Sequence, residues 1–126
     1  MLDLLKRLLK IAIPAAILVV TVNDGGRYLQ AQYELGNITR DAATASAEAY
    51  RRFGGDRTES WRAGEVLAEK FGATVYGFDV ANERAHVWTR MPVTGMWVAP
   101  RAIAVIDKKP AETPIVVEMD DQALIQ

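Results

Sequence analysis

Twelve consecutive residues without a charge, IAIPAAILVVTV at positions 11–22, limit the ways in which this chain can hide its apolar surface. As a helix this run covers about 18 Å, whereas the hydrocarbon core of a bilayer is about 30 Å thick. Including the leucine-rich residues from Leu2 onward extends the apolar segment to about 31 Å. Three cations, Lys6, Arg7 and Lys10, lie in that lead-in, and their long side chains can reach the headgroups by snorkelling.

Three interpretations of this segment are open: an uncleaved membrane anchor, a cleavable signal peptide, and an amphipathic or core helix. Signal cleavage requires small residues at a defined spacing after the apolar run, and the following residues NDGG lack that pattern. Basic residues before the run are typical of an N-terminus kept in the cytoplasm. We therefore predict an anchor over residues 1–23 and an extracytoplasmic domain over residues 24–126. The predicted membrane exit comprises Asp24, Gly25, Gly26 and Arg27.

The composition supplies few groups for chemistry. The chain has 126 residues, half of them hydrophobic, which is enough for one domain with its own core. It contains no cysteine, which excludes disulfides, thiolate metal sites and cysteine nucleophiles. Its net charge of −1 gives no basic excess for nucleic acid. His86 is the single histidine, so we predict no catalytic residues, no metal site and no cofactor.

Beyond the apolar run, nonpolar residues recur every three or four positions from Tyr28 to Phe53. This spacing places them on one face of a helix and predicts a stalk helix over residues 27–53. Its centre is a stripe of small side chains, Ala42, Ala45 and Ala49. Small residues allow another element to approach closely. The stripe packs either on the domain's own sheet, as amphipathic helices usually do, or against copies and partners in a filament.

Downstream the periodicity changes from helical to alternating. Asp56 and Glu59 have the spacing of a capping box and predict the start of a second helix. The strand candidates are ATVYGFDV and RAHVWTRM, which form a hairpin around Asn82-Glu83, followed by RAIAVI from Arg101 and PIVVEM from Pro114. The predicted architecture is α+β: an N-terminal membrane helix continuing into a long amphipathic helix, a second short helix, and a small antiparallel β-meander.

The segment MPVTGMWVAP, residues 91–100, is unusually apolar for a loop between strands. Such a loop either folds under the domain as core or is exposed as a contact for membrane or protein. Tryptophan and methionine are also favoured anchors of interfaces. Met96, Trp97 and Val98 therefore join the alanine stripe in the predicted partner interface.

The segment DGGRYLQAQYELGNITRDAATASAEAY resembles the region after the membrane helix in TadE/TadG-like pilus-assembly proteins. In that family an Asp-x-Gly-Arg precedes a helix that ends in an Asp-Ala-Ala-x-Ala-x-Ala run. Asp24, Gly26 and Arg27, and then the run from Asp41 to Ala47, occupy those places. HVWTRMPVTGMWVAPRAIAVI is similar to the closing strands of the family. The head of the chain, MLDLLKRLLKIAI, departs from the family because it lacks the glycine and glutamate that mark prepilin processing.

The resemblance implies a single-pass envelope protein with a cytoplasmic N-terminus, similar to a minor pilin or pseudopilin. Its expected role is as a non-enzymatic structural or assembly component of a tight-adherence pilus or secretion apparatus. The expected partners are the membrane, other pilus or secretion-system proteins and further copies of the chain, with no nucleic acid. The alternative is a membrane-anchored extracytoplasmic module whose sheet binds a small ligand, and a soluble enzyme ranks third.

Overall fold

The computed structural model describes residues 2–107 and 115–125 and confirms an α+β architecture. Its elements are α1 (Leu2–Arg52), α2 (Arg57–Lys70), β1 (Thr74–Ala81), β2 (Arg84–Pro92), α3 (Ala99–Asp107) and β3 (Val116–Leu124). The three strands form one antiparallel sheet in the order β1-β2-β3. The second half of α1 packs on this sheet and on α2, and α2 also contacts β1, whereas most side chains in the first half of α1 are exposed and Asp24 is the buried one among them.

α1 is a single helix of 51 residues that continues without interruption through Gly25 and Gly26. The apolar run and the predicted stalk helix are therefore parts of one element, which ends at Arg52 and not at Phe53. Neither glycine has a positive φ, and a Cβ atom added at either position would meet no atom within 4 Å. The backbone here does not require glycine.

Replacing Gly25 or Gly26 by alanine should stabilise the protein by about 0.5–1 kcal/mol each, because alanine loses less backbone entropy in a helix than glycine. Urea unfolding of the full chain in a mild detergent, followed by circular dichroism, measures this change. A loss of stability in either variant would mean that the helix does not continue through this pair of residues.

Exposed apolar side chains cover most of the first part of α1. They are Leu2, Leu4, Leu5, Leu8, Leu9, Ile11, Ile13, Ile17, Leu18, Val19 and Val22. Among the helices of the described structure, none is sufficiently long and apolar to cross a membrane.

The core lies between the second half of α1 and the inner face of the sheet. Its α1 members include Ala31, Leu35, Ile38, Ala42 and Ala43, and the strands contribute Val75, Val87, Met91 and Val117. Gly36 allows β3 to come close, because a Cβ atom at this position would lie 3.1 Å from the Met119 sulfur. The buried hydroxyls of Thr39 and Thr89 are hydrogen-bonded to each other, which joins α1 to β2 through a satisfied polar pair.

α2 packs on α1 through small residues spaced four apart. Ser60, Gly64 and Ala68 are the buried residues of α2. The Ser60 hydroxyl donates a hydrogen bond of 2.6 Å to the Ser46 carbonyl, and a Cβ atom at Gly64 would overlap the Ser46 hydroxyl. The two helices therefore approach each other more closely than larger side chains would permit.

Local signals in the sequence are confirmed at α2 and at the hairpin. The Asp56 carboxylate accepts hydrogen bonds from the backbone N–H groups of Thr58 and Glu59, at 2.9 and 3.3 Å, and so caps α2. Asn82 and Glu83 have φ values of 52° and 60°, as both central residues of a type I′ turn require.

The prediction of a strand at RAIAVI is wrong, because these residues belong to α3, which spans Ala99–Asp107. A short apolar run does not distinguish a strand from a helix by periodicity alone. Pro100 lies in the first turn of α3, where the missing N–H group costs nothing. The next candidate is confirmed as β3, which begins at Val116. The predicted turn DKKPAET and Pro114 lie almost entirely outside the described residues.

Candidate functional site at Asp24

Asp24 is a buried carboxylate at the point where α1 leaves its exposed apolar part and enters the domain. Its Oδ1 accepts a hydrogen bond of 2.8 Å from the backbone N–H of Trp97. Its Oδ2 accepts two more, both of 3.1 Å, from the backbone N–H groups of Val98 and Ala99. A single side chain of α1 thus binds three consecutive amides that are more than seventy positions away in the sequence.

These amides form the N-terminus of α3. The Val98 carbonyl accepts the hydrogen bond from the Ala102 N–H at 3.0 Å and so starts the helical pattern. The first N–H groups of a helix have no partner within the helix, and the helix dipole favours a negative charge beside them. Asp24 therefore caps α3 from another helix, which fixes the start of α3 to one point on α1.

The same contacts keep Asp24 ionised. The hydrogen bond from the Trp97 N–H lowers the pKa of Asp24, burial opposes this effect, and the Ala99 and Val98 N–H groups and the Asn23 amide lower it further. The resulting pKa is about 2, compared with an ordinary value of 3.8. At neutral pH the side chain is an anion whose charge is directed at backbone donors, a geometry that gives strong hydrogen bonds.

Asn23 and Arg27 extend the contact on either side of Asp24. The Asn23 amide nitrogen lies 3.1 Å from Asp24 Oδ1 and donates a second hydrogen bond of 3.1 Å to the Gly95 carbonyl. Gly95 has a φ of +80°, and a Cβ atom there would lie 2.9 Å from Arg27 Nε. Glycine at position 95 thus satisfies both the backbone conformation and the close approach of Arg27.

The structure joins two groups of residues that the sequence analysis treated separately. The predicted membrane exit, around Asp24 and Arg27, lies directly against the apolar loop that contains Met96, Trp97 and Val98. Sequence reasoning missed this connection. The available signal was an acidic residue placed immediately after an apolar run, a position that is costly for a carboxylate without partners.

The alanine stripe is not part of this site. Ala42 and Ala49 are buried within the domain, and Ala45 is half-buried. The Ala42 carbonyl oxygen lies 3.4 Å from the place that a Gly64 Cβ atom would occupy. The chain's own packing therefore covers Ala42, and the element that approaches it here is α2, whereas the first interpretation of the stripe named the sheet.

The loop combines both interpretations of its apolar sequence. Val93 is buried and donates a backbone hydrogen bond of 2.7 Å to the Ile115 carbonyl. Trp97 and Val98, in contrast, expose about half of their surface. An open cavity of about 420 Å³ lies where the loop meets α1, between Val20 and Met96. The loop thus contributes to the core at one end and presents apolar surface at the other.

A second cluster of polar and aromatic residues occupies the outer face of the sheet, away from α1. His86 Nε2 lies 2.9 Å from an Asp120 carboxylate oxygen, and the imidazole stacks on Trp88 with ring centroids 4.0 Å apart. Gly77 on the neighbouring strand leaves room for the indole, because a Cβ atom there would lie 3.0 Å from Trp88. The sequence analysis gave His86 no partner, whereas the sheet register supplies Asp120.

Tyr76 and Arg90 continue this outer face. The Arg90 guanidinium lies 5.5 Å from the centre of the Tyr76 ring, within the range of a cation–π interaction. Partial burial raises the pKa of Tyr76, and the negative charges of Glu118 and Asp120 raise it further. Among the residues that the structure describes, no group of three or more histidine, cysteine, aspartate or glutamate side chains is arranged to hold a metal ion.

The arrangement at Asp24 is therefore the feature that joins the exposed apolar helix to the domain. Its hydrogen bonds hold the start of α3 against α1. The likeness to TadE/TadG-like proteins rests on the sequence motifs alone. In comparisons with protein-family models, curated proteins and solved structures, nothing matches this chain.

Proposed function

We propose that this protein is a non-enzymatic structural or assembly component of a tight-adherence pilus or secretion apparatus in the cell envelope. In this proposal residues 1–23 form a single-pass membrane anchor with a cytoplasmic N-terminus, and residues 24–126 form an extracytoplasmic domain. The observation that carries the proposal is the long apolar part of α1, which the domain leaves uncovered while one continuous helix connects the two.

The free-energy cost of leaving apolar side chains in water supports this assignment. Covering a leucine, isoleucine or valine side chain is worth about 1.5–3 kcal/mol, and the first part of α1 exposes eleven such side chains. Exposed apolar surfaces of this extent mark contacts with membranes or proteins. The exposed positions include consecutive residues such as Leu4 and Leu5, or Leu18 and Val19, so they extend over more than one face of the helix. The remaining face at its start carries the charged residues Asp3, Lys6, Arg7 and Lys10. A bilayer covers so broad an apolar surface on a single helix.

The charges at the two ends of the segment fit a membrane. Lys10, the last cation before the uncharged run, and Asp24 are fourteen residues apart, which corresponds to about 21 Å along a helix. A hydrocarbon core of about 30 Å therefore requires Arg7 and Lys10 to extend their long side chains towards the headgroups, as basic residues near the ends of membrane helices do. The cations at the first end favour a cytoplasmic N-terminus.

The contacts of Asp24 also fit a position at the membrane surface. A carboxylate close to the hydrocarbon is costly unless hydrogen-bond donors surround it. The three backbone N–H groups and the Asn23 amide supply those donors. The end of the anchor is thereby attached to α3, and the domain takes a defined orientation relative to the helix.

The second candidate function is an anchored module that binds a small ligand on its sheet. The outer face favours it, because Trp88, His86 and Tyr76 combine aromatic surface with the nearby carboxylates Asp120 and Glu118. These groups are already paired with one another, so a ligand has to displace existing contacts. The assembly role therefore ranks first.

Fractionation with protease protection tests the proposal in cells. We expect the full-length chain in the membrane fraction, with its C-terminal domain digested by protease added from outside. A tag placed before Met1 should stay protected. Recovery of the intact chain from the soluble cytosolic fraction would contradict both the assembly role and the anchored ligand-binding module.

Crosslinking in the native envelope separates these two functions. A photoreactive residue at Tyr33, an exposed position on the domain part of α1, should capture protein components of the apparatus if the assembly role is correct. The matched control is the same group at Glu69, an exposed position on α2. Equal, nonspecific labelling at both positions, together with saturable binding of a small molecule that depends on Trp88, would support the ligand-binding module instead.

A further inference from the structure

We propose that Met96, Trp97 and Val98 together with α3 form a second membrane contact, which lies in the headgroup region of a bilayer containing anionic phospholipid. This inference rests on the proposed function, because it assumes that the first part of α1 is in lipid. It adds a binding surface and its lipid partner to the single anchor described above.

The first argument is position. Asp24 binds the backbone of Trp97, Val98 and Ala99, and it follows Val22, the last apolar residue of the run, by two positions. Two residues of helix correspond to about 3 Å. The start of α3 is therefore held at the level where an anchor over residues 1–23 leaves the hydrocarbon.

The second argument is the continuity of the apolar surface. Val20 of α1 and Met96 and Val98 of the loop border one open cavity of about 420 Å³, so the loop extends the surface of the apolar helix. On α3, Val105 and Ile106 expose 78% and 77% of their surface. α3 is attached to the end of the proposed anchor at its first residues, and an exposed apolar side chain on a helix that begins at the membrane surface can enter the interface between headgroups and acyl chains.

The third argument is the type of side chain and the charge. Trp97 is 52% exposed at this level, and tryptophan concentrates where hydrocarbon meets headgroups. Among the side chains that the structure describes in residues 11–27, in the loop and in α3, the exposed charged ones are Arg27 and Arg101, whereas the negative charge of Asp24 is bound to backbone amides. Basic side chains near a bilayer surface attract anionic lipids.

The absence of cysteine from the sequence makes a labelling experiment straightforward. Full-length Val105→Cys carries an environment-sensitive fluorophore in vesicles of phosphatidylethanolamine and phosphatidylglycerol. Ile17→Cys reports on the anchor, and Glu69→Cys on exposed α2 is the aqueous control. We expect the labels at positions 17 and 105 to shift to the blue and to be quenched by a lipid-soluble quencher, while the label at position 69 is not.

The Asp24→Asn change tests, in the same vesicles, the role of the hydrogen bonds between Asp24 and the start of α3. It should return the label at position 105 towards the aqueous signal and leave the label at position 17 in lipid. In vesicles of phosphatidylcholine alone, the blue shift and the quenching of the label at position 105 should be smaller, because these vesicles lack anionic headgroups.

The outcomes separate the two proposals. If the label at position 17 is in lipid and the label at position 105 matches the aqueous control, the anchor stands and the second contact is overturned, which leaves that face for a protein partner. If the label at position 17 is also aqueous, the proposed function fails together with this inference. A signal at position 105 that is equal in anionic and neutral vesicles would overturn the assignment to anionic lipid.

Discussion

Replacing Asp24 by asparagine should release the loop from α1, so that the amide hydrogens of Trp97, Val98 and Ala99 exchange with solvent much faster than in the wild-type protein. Asparagine keeps the size of the side chain but replaces one charged acceptor by an NH₂ donor, which faces backbone N–H groups that also donate. At least one of the three hydrogen bonds is then lost, and the remaining ones no longer involve a charge. Hydrogen exchange of the full chain, measured by mass spectrometry, detects the change.

The matched control for this experiment is Asp41→Asn, which removes the same charge from an exposed position on the same helix. Exchange at the three amides should be unchanged in that variant. If the three amides exchanged at the wild-type rate in Asp24→Asn, this result would contradict the attachment of α3 to α1 through Asp24.

The hydrogen bonds between Asp24 and the start of α3 should also weaken in acid. The pKa of Asp24 is lowered from 3.8 to about 2 in the folded protein. A lowered pKa means that the contribution of the ionised form is fully present above the unfolded value, and it is lost as the pH falls through the folded value. Protection of the Trp97 amide should therefore persist at pH 4 and decrease towards about pH 2. Asp24→Asn should show no step in this window.

Replacing Gly64 by alanine should lower the free energy of unfolding by about 1–3 kcal/mol, although alanine is the better helix former. The cause is steric, because the added methyl group overlaps the Ser46 hydroxyl where α1 and α2 approach each other. Ser46→Ala alone should be nearly neutral or stabilising, since its buried hydroxyl has no hydrogen-bond partner in the described structure. Urea unfolding in a mild detergent measures both variants.

The double variant Ser46→Ala, Gly64→Ala decides whether steric overlap with the Ser46 hydroxyl causes the loss of stability. With Ser46→Ala present, the nearest atoms to the new methyl group are the Ala42 carbonyl oxygen at 3.4 Å and the Cβ atom at position 46, at 3.8 Å. Most of the loss caused by Gly64→Ala should therefore disappear. Thr44→Ala is the control, because Thr44 is exposed on α1 and should not rescue. Additive effects of Ser46→Ala and Gly64→Ala would contradict the close packing of the helices.

Local features of the fold could be predicted from the sequence because their causes lie within a few residues. The Asp56 cap and the hairpin turn at Asn82-Glu83 depend on side chains and dihedral angles of adjacent positions. The long helix followed from its three- and four-residue spacing, and its continuation from the apolar run, which the predicted architecture included, is observed as one helix through Gly25 and Gly26.

The parts that sequence reasoning missed depend on distant partners. RAIAVI has an apolar pattern that fits a strand or a helix, and the cap that α3 receives from Asp24 is supplied by a residue on α1. The small residues Ser60 and Gly64 carry no periodic hydrophobic signal, yet they set the distance between α1 and α2. The pairing of His86 with Asp120 likewise depends on the register of β2 with β3.

Flotation of the purified full-length chain with vesicles of phosphatidylethanolamine and phosphatidylglycerol tests most directly whether the exposed part of α1 enters lipid. The wild-type protein and Thr44→Glu, which adds a charge to the exposed surface of the domain, should rise with the vesicles. A variant with Ile17→Glu and Leu18→Glu, both at exposed positions, should remain in the dense fractions while keeping its helical circular dichroism. A folded wild-type chain that stays in the dense fractions without detergent, or a doubly charged variant that floats equally well, would contradict the membrane attachment.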